Sequence, residues 1–185
     1  MTYPRGYEHL GTSGTLPLVV SEGLKLLGVT ETPGPGNNPV IMKWCAELNK
    51  AGVDVKAYTV DSIAWCGLFM AIVALRASKP VVAGPLWARN WAKFGTKSPL
   101  PSLGDVLVFV REGGGHVGIY IGEDGDEKTG TYHVLGGNQS DAVTITRIAK
   151  KRCIAVRRPP FKTALPPSAR PYFLTTGSAL SRNEA

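Results

Sequence analysis

DVLVFVREGGGHVGIYIGEDGDEKTGTYHVLGG, residues 105–137, switches the chain from helical periodicity to strict alternation and thereby decides the fold class. Apolar residues recur at every second position in DVLVFV, HVGIYIG and TYHVLG, and Gly- or Asp-containing turns separate the three runs. Downstream, AVTITRI (142–148) and CIAVRRP (153–159) continue the pattern, which predicts five successive strands. Upstream, the spacing is helical. Residues 16–27 carry an apolar stripe stopped by Gly28, and ETPGPGNNP (31–39) is a turn-rich loop. Pro39 opens a second helix over 39–50, with Gly52 beyond its end. IAWCGLFMAIVAL (63–75) is apolar on every side until Arg76, so it predicts a helix buried all round, capped by Asp61 or Ser62. A short helix carrying Trp87, Trp91 and Phe94 follows. Helices first and antiparallel strands second define an α+β fold rather than a doubly wound sheet.

At 185 residues, with 43% hydrophobic and 19% charged content, the chain is long enough for one domain with its own core. The expected organisation is an arm over 1–15, a domain over 16–160 and a loosely attached Pro- and Ser-rich tail over 161–185. The longest apolar run, 63–75, is too short to span a bilayer. The opening MTYPRGYEHLGTSGT shows no apolar stretch after a basic one, so no secretory signal is expected. A net charge of +7 and a pI near 9.5 favour polyanionic surroundings. The basic residues are scattered and no nucleic-acid motif is present, which argues against a nucleic-acid partner. The densest group is Lys150, Lys151, Arg152, Arg157 and Arg158, readable as a solvated face or a patch for anionic polymers. Three cysteines without paired spacing do not make a disulfide framework.

Cys66 falls in the first turns of the buried helix, where free backbone N–H groups and the helix dipole favour thiolate. His116 opens a strand after three glycines, which allow close approach of another surface. Alternation puts His116, Gly118 and Tyr120 on one face of that strand, and the small Gly118 leaves room for a helix start. A nucleophile and a base need a third group to hold the imidazole tautomer, and Asn138 and Gln139 directly follow the next strand. Each has an ordinary reading too: a core thiol, a strand-end histidine and turn residues.

The ordered set PGPGNNP (33–39), WC (65–66), GHVGIYIGED (115–124) and VLGGNQ (134–139) resembles the CHAP and NlpC-type papain-like cysteine peptidases. The similarity is to their phage-associated endolysin branch and runs from about residue 16 to residue 160. It implies a papain-like core in which the cysteine helix packs on an antiparallel sheet. The implied activity is hydrolysis of an amide in peptidoglycan stem peptides, or of the amide joining the stem to muramic acid. By that resemblance Cys66 is the nucleophile, His116 the base and Asn138 the third member, with His133 as the rival. Glu31, Asn37, Asn38, Trp65, Trp91 and Gln139 are the expected substrate contacts, and Trp87 is a further aromatic able to pack on sugar or peptide. No cofactor is implied. GEDGDE (122–127) has calcium-like spacing but lacks the closing glutamate of a calcium loop, and His9, His116 and His133 do not make a zinc set. The expected partners are bacterial peptidoglycan and anionic envelope polymers, with a monomeric enzyme made in the host cytoplasm and released through a membrane pore. An interbacterial toxin amidase or a virion-associated lysin would share the chemistry, and a non-catalytic wall-binding module would share the fold.

Overall fold

The protein is described by a computed structural model over residues 3–175 and Leu180. Four α-helices, α1 (His9–Thr12), α2 (Leu18–Leu24), α3 (Pro39–Lys50) and α4 (Cys66–Arg76), precede a 3-10 helix at Ala88–Lys93. Strands β1 (Thr96–Lys97), β2 (Val106–Arg111), β3 (Gly114–Asp124), β4 (Thr131–Gly136), β5 (Thr144–Ala149) and β6 (Cys153–Arg158) follow. They form one antiparallel sheet in the order β1-β6-β2-β3-β4-β5. The α+β class and the five expected strands are therefore present, with the two-residue β1 added at an edge.

α3 forms where its signals put it. The Asn38 side chain caps it by accepting from Val40 N at 2.7 Å, Pro39 occupies the first turn, and Ile41, Trp44, Cys45 and Leu48 make the buried stripe. α4 is buried at every residue from Cys66 to Ala74, as an apolar helix without a polar face must be. Its start differs from expectation. The helix begins at Cys66, and its N-cap Trp65 offers no side-chain cap. Asp61 is not a cap, because its carboxylate accepts from Thr32 N (2.9 Å) and Asn38 N (2.7 Å) and so clasps the 31–39 loop.

α4 packs on the β3 face that carries Val117, Ile119 and Ile121, in the main core. Leu107, Phe109, Tyr120, Val134 and Ile148 make a second apolar cluster. The alternation predicted for β3 holds, but the role expected of Gly118 does not. A Cβ on Gly118 would lie 2.5 Å from Val134 Cγ1, so the neighbouring strand takes that space. The helix start instead needs Gly137, where a Cβ would come within 2.6 Å of both Phe69 Cβ and Trp65 Cζ3.

The described parts of the expected arm and tail are bonded to the domain more firmly than composition suggests. Within the expected tail of 161–185, the stretch 168–174 is bonded to the domain: Leu103 N donates to Arg170 O, Glu123 N to Tyr172 O and Leu174 N to Glu123 O, and Tyr172 and Ser168 are buried. The rest of the expected tail, apart from Leu180, lies outside the described residues. In the arm, Tyr7 and Leu10 are buried. The basic group near β6 is largely consumed in the fold. Lys150 pairs with Glu123, Arg152 donates to Val110 O, Arg157 to Phe94 O, and Arg158 holds Asp105 through Nε (3.0 Å) and Nη2 (2.9 Å). No helix among the described residues is long and apolar enough to cross a membrane.

Candidate active site

Cys66 is the first residue of α4, and the register of β3 with β4 begins only at Ile119↔Leu135. The edge of β3 at His116 and Val117 is thus open to the helix start, and the backbone N–H of Val117 donates toward the Cys66 thiol. One peptide unit separates that N–H from His116. Burial pushes the Cys66 thiol up, and the Val117 N–H, the positive charge of Arg111 and the N–H groups of Gly67 and Cys66 offset this only in part. Burial thus opposes the thiolate that the helix start by itself favours.

His116 is buried, and its Nε2 lies 3.1 Å from Gln139 Oε1. The glutamine is oriented by its other end. Gln139 Nε2 donates to Thr144 O at 2.7 Å and to Val134 O and Thr144 Oγ1 at 3.2 Å each. Those acceptors fix the amide, so the oxygen faces the ring and His116 Nε2 must carry the proton. Nδ1 is then the basic nitrogen. Gly136 is required here, since a Cβ on it would lie 2.8 Å from Gln139 Oε1 and 3.1 Å from His116 Nε2.

Asn138, the expected third member, is buried at a bend with φ of 55°, and it is its neighbour Gln139 that meets the imidazole. His133 is engaged elsewhere. Its Nε2 meets Asp124 Oδ2 at 3.2 Å and its Nδ1 meets the Tyr7 hydroxyl at 2.8 Å. Asp124 also accepts from Thr131 and pairs with Arg147 at 2.7 Å, while Asp126 closes the turn by accepting from Lys128 N and Thr129 N. No cluster of three or more His, Cys, Asp or Glu able to hold a metal occurs among the described residues.

Most of the expected substrate contacts are structural in this geometry. Trp65 and Trp91 are fully buried, and their indole N–H groups donate to Glu31 Oε1 (2.5 Å) and Pro85 O (2.9 Å). Asn37 Oδ1 accepts from Asp61 N, and Asn38 is spent on the α3 cap and on Thr30 O. Glu31 keeps partial exposure, and burial raises its carboxyl above the usual range. The exposed tryptophan is Trp87, at 75%. Arg111 and the Val117 amide were not anticipated beside the thiol, because a charge so distant in sequence, at the far end of β2, and a backbone group carry no local signal. A pocket of about 390 Å³ lined by residues 15–18, 77–79, 161–164 and 166 holds none of these groups. No family model matches the chain, and no curated protein matches it.

Proposed function

We propose that the protein is a papain-like cysteine amidase or peptidase acting on the stem peptides of bacterial peptidoglycan, of the phage endolysin type. The observation that carries this reading is the gathering of three groups at one strand edge. A buried thiol at a helix start lies against the strand edge beside His116, whose Nε2 is held by Gln139. The α+β layout, with the thiol helix on an antiparallel sheet, supports the papain-like assignment, and the resemblance of the ordered motifs supplies the substrate class.

In this mechanism Nδ1 of His116 takes the proton of Cys66 as sulfur attacks the amide carbonyl, which suits a thiol whose burial favours the protonated form. The C–N bond is still intact in the tetrahedral intermediate, whose oxyanion lies near the Cys66 and Gly67 N–H groups left without intrahelical acceptors. The imidazolium then protonates the departing amine, leaving a thioester. Water, deprotonated by His116, releases the acid and restores the thiol. Gln139 acts through His116, holding its tautomer.

The test is digestion of purified sacculi followed by mass spectrometry of the fragments. New amino termini inside stems mean an endopeptidase, and intact stems freed from glycan mean an amidase. Turnover that persists undiminished in Cys66→Ala would sink the cysteine mechanism, and binding without any new amine would identify a wall-binding module.

A further inference from the structure

Beside the candidate active site lies an open cleft of about 340 Å³ lined by Trp87, Ala88, Arg89 and the glycines at 113, 114 and 115. It touches both halves of the site. Gly115 directly precedes His116, and the loop leading to Trp87 lies on the first turn of α4, where a Cβ on Gly67 would be 2.3 Å from Pro85 O and 2.7 Å from Leu86 O. A substrate reaching Cys66 from this side passes over the cleft.

The cleft is held in shape before any ligand arrives. Trp87 N donates to Gly84 O, Asn90 Nδ2 donates to Ala83 O and Gly84 O, and the buried Trp91 indole donates to Pro85 O. An exposed indole on a loop held by four hydrogen bonds gives up little order on binding. Of the tryptophans, Trp44, Trp65 and Trp91 are core residues, so the exposure of Trp87 at 75% is an exception within this chain. Arg89 donates through Nε (3.2 Å) and Nη2 (2.8 Å) to Gly114 O, which anchors one edge of the guanidinium and leaves its remaining N–H groups at the exposed surface. At Gly115 the floor fits closely, since a Cβ there would lie 3.1 Å from Arg89 Cγ and from Phe109 O.

An anchored guanidinium beside a flat apolar face matches a carboxylate carried on a short aliphatic stem. We propose that Trp87 and Arg89, set over the glycines at 113–115, form a specificity subsite for a carboxylate-bearing peptide residue next to the scissile amide. This rests on the hydrolase reading above and deepens it. Arg89 binds the free carboxylate, Trp87 covers the methylene stem, and neither takes part in bond making.

The experiment compares two synthetic stem peptides, one with its free α-carboxylate beside the scissile bond and one carrying a carboxamide there. Wild type should turn over the carboxylate peptide with a kcat/KM about tenfold higher, the difference lying in KM. Arg89→Gln should bring that ratio close to one, and Trp87→Ala should raise KM for both peptides while keeping the preference. An equal kcat/KM for the two peptides in wild type, or a preference that survives Arg89→Gln, overturns the subsite and leaves the hydrolase reading intact. If wild type cleaves neither peptide, the hydrolase reading fails, and fluorescence titration decides the subsite separately. Binding of the carboxylate peptide that quenches the exposed indole, and is weakened about tenfold in Arg89→Gln, sustains it. Absence of that difference overturns it.

Discussion

His116 Nε2 donates to Gln139 Oε1 across 3.1 Å, and the glutamine is pinned by its own amide nitrogen to Thr144 and Val134. With its proton held on Nε2 by that contact, the ring has Nδ1 as its basic atom. Gln139→Ala should lower kcat about 10²-fold with little change in KM, since the tautomer and not substrate binding is lost. Asn138→Gly keeps a backbone suited to φ of 55° and should cost less than roughly threefold. Steady-state kinetics on stem peptides reads both, and the reverse ranking would restore Asn138 as the orienting group.

The pH dependence of Cys66 labelling follows from its burial. Because the thiol is pushed up, its alkylation rate should inflect above the ordinary thiol value of about 8.5. Arg111→Gln removes an opposing positive charge and should move the inflection further up. Iodoacetamide labelling with peptide mapping separates Cys66 from Cys45 and Cys153, both pushed up to about 11 by burial. An inflection below the ordinary value would show a resting thiolate instead.

Asp61 is a buried carboxylate spent on two loop amides, Thr32 N and Asn38 N. Asp61→Ala leaves both donors without their acceptor and should cost about 2–4 kcal/mol in urea unfolding. Loss of the clasp also frees the loop that holds Glu31 against Trp65, so labelling of Cys66 should accelerate. Unchanged stability would mean water replaces the carboxylate at no cost.

His133 is neutral in the fold, because burial lowers its pKa below the usual imidazole value despite Asp124. The unfolded chain binds a proton there near pH 6.5, so the stabilisation is complete above that pH and is lost as pH falls through and below it. Unfolding free energy should decline between pH 7 and 5 with a slope of up to about 1.4 kcal/mol per pH unit from this group. His133→Gln should flatten that slope whatever its effect on absolute stability, leaving the share of His9, which burial also lowers. An undiminished slope would place the acid sensitivity elsewhere.

Wherever the deciding forces were local, this protein could be read from its residues in order. Period-two alternation set the five strands, and Pro39 and Gly52 bounded α3 because first-turn prolines and breakers act within a turn of themselves. The all-apolar run around Cys66 required burial of α4, and the pairing of an early cysteine with a strand-opening histidine was already visible. Tertiary structure decided what depends on direction and on distant partners. Asn138 and Gln139 are neighbours, but a bend with positive φ turns one of them to His116, and alternation cannot be applied across such a bend. Asp61 left the helix cap because two amides more than twenty residues away offered better bonds in the core. The tryptophans carry the same residue type into opposite roles, since only packing determines which indoles are enclosed and which one, Trp87, faces solvent beside the thiol helix.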